Sequence, residues 1–91
     1  MSRIDVACVP TDTGWRCRVI VAGPHSTTEH DVGVARSDLE RLAPDAVEPT
    51  DLVYRSFDFL LEHEPNESIL RSFDLPVIGR YFPDWERTIR E

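Results

Sequence analysis

Ninety-one residues, 41% of them hydrophobic, are enough for one domain with its own core, but leave no room for a large enclosed ligand chamber. A formal net charge of −7 repels phosphate backbones, so no nucleic-acid partner is expected. No run of about 18 apolar residues exists to cross a membrane, and the opening MSRIDVACVPTD has no apolar leader stretch, so a cytoplasmic location is the default expectation.

Ile4, Val6 and Cys8 alternate with Asp5 and Ala7, the period of a half-buried strand. Trp15, Cys17, Val19 and Val21 alternate with Arg16, Arg18 and Ile20 and make a second strand. Thr11-Asp12-Thr13-Gly14 between them is a four-residue hairpin loop ending in a residue free to take positive φ. Closing the loop at Pro10 and Trp15 sets Cys8 opposite Cys17, Val6 opposite Val19 and Ile4 opposite Val21, all on one face. Gly23-Pro24-His25-Ser26 is the next turn. Thr28, His30, Val32 and Val34 then alternate with Glu29, Asp31 and Gly33 as a third strand.

Helices follow. Ser37-Asp38-Leu39-Glu40 has the S-x-x-E form of a capping box, so a short helix is expected from Asp38 to about Ala43. Thr50 is placed to cap a longer one from Asp51 to about Glu64, stopped by Pro65. Its stripe of Leu52, Val53, Phe57, Leu60 and Leu61 is widened by Tyr54 and Phe59, so more than one surface must cover it. Beyond it, SILRSFDLPVIGRYFPDWE is dense in apolar and aromatic residues and cut by Pro76 and Pro83. Asn66 is placed to cap a turn to about Arg71, Asp74 to start another at Leu75 with Pro76 in its first turn, and Pro83 to be the first residue of a last helix. The expected fold is therefore α+β in a single domain over residues 1–91. It has a three-stranded antiparallel meander followed by two helices and a C-terminal run of short helices packed on one face. Most of the last segment should wrap the long helix as core, with Tyr81 and Trp85 as the aromatics left exposed for docking.

The charge is not spread evenly. Residues 38–67 hold nine acids against two arginines and so carry the whole net charge. That stretch is either a solvated helix face or a docking face for a basic partner. Glu48, Asp51, Arg55, Asp58 and Glu62 are the candidate contact residues on it, beside Tyr81 and Trp85.

The two cysteines face each other across the first hairpin. A disulfide, or a metal site shared with His30, is conceivable there. A reducing compartment, a buried face and a Cys-x8-Cys spacing favour two free buried thiols instead. His30 should be a partly buried histidine bonded to the backbone, while His25 and His63 should face solvent. No histidine is placed to activate a nucleophile, Asp58 with Glu62 is the kind of pair any acidic helix gives, and the four glycines are too scattered to cradle phosphate. No catalytic residue, metal or cofactor is expected, and the chain reads as a non-enzyme.

Two resemblances bear on function. EPNESILRSFDLPVIGRYFPDWE, residues 64 to 86, resembles the C-terminal block of a family of small bacterial proteins to which no biochemical function is attached. TDTGWRCRVIVAG, a third strand and the helix PTDLVYRSFDFLLEHEP are similar to the β-β-β-α domain of HicB-type antitoxins, whose aspartate-glycine-aromatic turn here reads Asp12-Thr13-Gly14-Trp15. The first functional reading is a partner-binding or accessory subunit, with another protein as its partner and homo-oligomerisation left open. The second, which the antitoxin resemblance implies, is a neutraliser whose acidic 38–67 face covers a basic toxin. The third is a small metabolite-binding protein or enzyme using His30 and the sheet's inner face.

Overall fold

Loop length and the period of two fix the first hairpin. In the computed structural model, which describes residues 2–90, β1 (Arg3–Pro10) and β2 (Gly14–Ala22) pair antiparallel, with Pro10 opposite Trp15, Cys8 opposite Cys17, Val6 opposite Val19 and Ile4 opposite Val21. The loop is closed by the Thr11 N–H donating to the Gly14 carbonyl at 2.8 Å and the Gly14 N–H donating to Thr11 Oγ1 at 3.1 Å. Gly14 does not have the positive φ expected of it. Its need for glycine comes from the neighbouring strand, since a Cβ there would lie 2.0 Å from the Val34 carbonyl oxygen.

β3 (Thr27–Ala35) completes the meander, with His30 opposite Val19. Cys17, Val19, Val21, Val32 and Val34 form a fully buried inner wall. On the outer face Arg16 Nε meets Asp31 Oδ1 at 3.0 Å and Arg18 pairs with Glu29. These side chains are about half exposed, so each pair contributes about 1 kcal/mol or less.

The sheet has four strands, not three. β4 (Ser72–Asp74) pairs parallel to β3, Asp31 to Ser72, Val32 to Phe73 and Gly33 to Asp74, in the order β1-β2-β3-β4. A strand of three residues is too short to show a period. It forms because the open edge of β3 needs partners for its backbone groups; the Asp31 N–H, for example, donates to the Arg71 carbonyl at 2.8 Å.

Both helix starts differ from the expected caps. α1 (Arg36–Leu42) begins two residues early, because the Asp38 carboxylate reaches back to accept the Ala35 N–H at 3.2 Å; the Ser37 box is not used. α2 (Thr50–His63) takes Thr50 as its first residue behind Pro49, and the Thr50 N–H donates to Glu48 Oε2 at 3.1 Å. Glu48 thus supplies the acceptor that Thr50 was expected to be. Leu52, Val53, Ser56, Phe57, Phe59 and Leu60 are buried, and α2 rests on β1 on one side and on the last helix on the other.

The C-terminal segment supplies that second cover. A 3₁₀ turn (Asn66–Ser68) leads to β4, a second 3₁₀ turn (Leu75–Val77), α3 (Ile78–Tyr81) and α4 (Trp85–Arg90). Ile69, Leu75, Ile78, Trp85 and Ile89 are buried in the common core. Trp85 is a correction. It is 1% exposed, and its Nε1–H donates to Ser56 Oγ at 3.1 Å, while Ser56 Oγ donates to the Leu52 carbonyl at 2.8 Å. The indole thus buries its apolar ring in the core and satisfies its N–H on the α2 hydroxyl.

Asn66 pins the start of this segment to the sheet. It is buried, and its Nδ2 donates to the Ser26 carbonyl and Thr28 Oγ1, both at 3.1 Å, and to the Val21 carbonyl at 3.4 Å. Asn66→Ala strands these acceptors, and we expect a loss of about 1–3 kcal/mol in urea unfolding. A loss below about 0.5 kcal/mol would show that water replaces the amide at no penalty.

The cysteines depart most from expectation. Cys8 and Cys17 are joined by a disulfide, and no free cysteine is present among the described residues. The hairpin register had already set them side by side; what the sequence does not carry is the oxidation state. No helix of the described chain is long and apolar enough to cross a membrane.

Candidate functional site

Pro65 cannot continue α2, so the chain leaves the helix at Glu64, turns through Asn66–Ser68 and runs back extended toward β4. It then coils through α3 past the same helix end. The return leaves a half-open groove of 310 Å³ between Leu60 on α2 and Glu64 at its C-cap on one side and Leu70, Phe73, Tyr81 and Phe82 of the returning chain on the other. The groove walls are packed from behind. Phe73 lies against Phe57 at 6.1 Å between ring centroids, and Phe82 meets Phe59 edge-on at 5.9 Å and stacks on His63 at 5.0 Å. Two large side chains stand at the rim with much of their surface in water, Leu70 at 48% and Tyr81 at 66% exposure.

Glu64 is the one acidic residue of this lining. Burial among apolar side chains pushes its carboxyl above the ordinary 4.5, only partly offset by the neighbouring His63. It also occupies the C-cap of α2, where the unpaired carbonyls of the last turn repel negative charge. Among the described residues no side chain donates to its carboxylate or forms an ion pair with it. The groove therefore holds an apolar surface and one acidic group without an ion-pair partner among the described residues.

Behind the groove lies a buried polar chain. His30 is 1% exposed, with Nδ1 at 2.7 Å from the Leu70 carbonyl and Nε2 at 2.8 Å from Thr28 Oγ1. A carbonyl only accepts, so Nδ1 carries the proton; in the neutral ring Nε2 then accepts from the Thr28 hydroxyl, which itself accepts from Asn66. His30 is thus the backbone-bonded histidine the alternation implied, and it fixes Leu70 at the groove rim. Desolvation lowers its pKa below the ordinary 6.5, with Arg71 adding to the shift and the hydrogen bond to Leu70 opposing it. A lowered histidine pKa means the unfolded chain binds the proton more readily. This contribution to stability is therefore full above about pH 6.5 and is lost as the pH falls through 6.5 toward the folded value. An NMR titration of the ring should give a midpoint below 6.5 and a melting temperature that drops over the same interval. A midpoint at or above 6.5 would contradict the burial argument.

The expected contact residues scatter. Asp51, Asp58 and Glu62 lie on the exposed side of α2 with Tyr54. Asp51 is engaged by Arg55 Nε at 3.0 Å, and Arg55 Nη1 donates to the Ile89 carbonyl at 2.7 Å, so that arginine fastens α4 to α2. Glu48 is occupied with Thr50, and Trp85 is inside the core. Of the seven only Tyr81 borders the groove. Leu70 and Glu64 were missed. For Glu64 a signal existed: a carboxylate at a helix C-terminus, directly before a proline, opposes the helix dipole.

A second hollow, of 610 Å³, opens at the far end of the sheet among Trp15, Arg16, Asp38, Asp74 and Arg80. Gly33 floors part of it, because a Cβ there would come within 2.5 Å of Asp74 Oδ1 and 3.0 Å of Arg16 Nη1. Its two arginines and two aspartates balance, and the Trp15 ring is already covered by the Arg36 guanidinium 5.5 Å from its centroid. The apolar groove is the more distinctive site. Models of known protein families, curated proteins and solved structures give no match to this chain, so the site is read from its own chemistry.

Proposed function

We propose that this protein is a non-enzymatic partner-binding or accessory subunit whose contact surface is the groove between the end of α2 and the returning C-terminal segment. The observation that carries the reading is the pair of half-exposed large side chains, Leu70 and Tyr81, standing over an apolar hollow. Such rims are what a partner covers. Native mass spectrometry of the tagged chain recovered from its source cells should find it in a complex that Leu70→Asp and Tyr81→Ala remove. Recovery of the wild type as a lone monomer would end this reading.

A second reading, the antitoxin-like neutraliser of a basic protein, is favoured by the exposed side of α2. Asp58 and Glu62 have no ion-pair partner there among the described residues. It requires a small basic protein encoded beside this one, and a neighbourhood without such a gene counts against it. The metabolite reading gains no support from His30, whose ring nitrogens are both bonded behind a filled inner face.

A further inference from the structure

We infer that the groove receives an amphipathic segment of the partner protein, whose apolar side chains fill the hollow while a neighbouring arginine or lysine meets Glu64; this rests on the partner-binding reading. Three observations lead to it. First, 310 Å³ lies at the small end of ligand pockets, room for a few side chains and not for a large metabolite. Second, Leu70 and Tyr81 project beyond the hollow into solvent. A small molecule lodged inside would touch both but leave their outer parts in water, whereas a chain segment crossing the groove would bury them.

Third, the charge is complementary in sign and place. Glu64 stands at the helix C-terminus, half-buried in apolar surroundings, with no cation of its own chain paired to it among the described residues. An approaching ammonium or guanidinium would relieve the repulsion of the helix end and find its aliphatic stem matched to the groove wall. The exposed Asp58 and Glu62 on the same helix attract such a segment before contact.

The probes are hexylammonium, hexanol and hexanoate, titrated separately into the ¹⁵N-labelled protein and followed by amide shifts. Hexylammonium should perturb residues around Glu64, Leu70 and Tyr81, and bind more tightly than hexanol, with hexanoate weakest. Glu64→Gln should weaken the ammonium about fivefold, to the level of the alcohol, without changing the alcohol. Equal binding of amine and alcohol, indifference of the amine to Glu64→Gln, or shifts confined to another surface would each overturn the assignment.

The native complex separates the two levels. Loss of the partner with Leu70→Asp but not with Glu64→Gln leaves the partner-binding reading standing and removes the cation. Ammonium bound at Glu64 with the natural complex unaffected by Leu70→Asp removes the groove as the contact surface, and the inferred occupant with it.

Discussion

Trp85→Ala should destabilise the fold by about 3–5 kcal/mol, a large share of what a small domain has in total. The indole is 1% exposed and lies where α4 meets α2, so truncation empties a large volume at the seam between two layers. It also removes the donor to Ser56, whose hydroxyl keeps its bond to the Leu52 carbonyl but loses the group above it. Trp85→Phe separates the two effects, retaining most of the packing and losing the hydrogen bond, and should cost about 1 kcal/mol plus a smaller packing term. Urea unfolding of both variants checks this. If Trp85→Ala costs less than about 1 kcal/mol, α4 docks on a finished core and the C-terminal segment regains its standing as a free docking element.

That segment shows which parts of the fold the sequence makes legible. A hairpin is readable because its loop length and its period of two are independent and agree; Thr11 to Gly14 closes only in the register that puts Val6 opposite Val19. The third strand follows by the same alternation, down to His30 opposite Val19. β4 has no such redundancy. Ser72–Asp74 is extended because β3 has an open edge to fill, a fact about the sheet and not about those three residues. The same holds for the exposure of the aromatics. Tyr81 and Trp85 are four positions apart, each beside a proline-started turn, and nothing local sends one to the rim and the other beneath α2. Ser56 decides it, a small polar residue inside an apolar helix stripe that leaves space and an acceptor for the indole.

The groove was illegible for a related reason. It exists only between a helix end and a chain that returns past it, so its residues, Leu60 and Glu64 against Leu70, Phe73, Tyr81 and Phe82, form no pattern in sequence. Whether the aromatic segment is core or exposed surface also has a divided answer. Ile69, Leu75, Ile78 and Trp85 are core, whereas Leu70 and Tyr81 face outward from the same turns. Burial is assigned residue by residue, and a segment this short and broken can serve both.

Reduction of the Cys8–Cys17 bond is expected to lower stability by about 2–3 kcal/mol, the loop-closure effect of a bond between residues nine apart in sequence. The loss should not be shared evenly. β1 is an edge strand, hydrogen-bonded to β2 alone, and its inward Ile4 and Val6 are only partly buried, while Val19, Val21 and Val32 are completely so. With the bond intact, β1 cannot separate from β2 at Cys8, two residues before the hairpin loop. Once it is reduced, the strand is held by backbone bonds and two half-buried side chains, so it should open before the rest of the sheet. Hydrogen exchange of the reduced protein, or of Cys8→Ala/Cys17→Ala, should show β1 amides losing protection ahead of β3. Equal protection of β1 in oxidised and reduced protein would mean that α2 alone holds the strand in place. The bond also bears on where the chain works, because disulfides persist in oxidising compartments and a cytoplasm keeps thiols reduced. In reducing surroundings the domain would have to keep its core on β2, β3 and α2 with a loosened first strand. The groove, built on α2 and the C-terminal segment at the other edge of the sheet, should keep its form in either redox state.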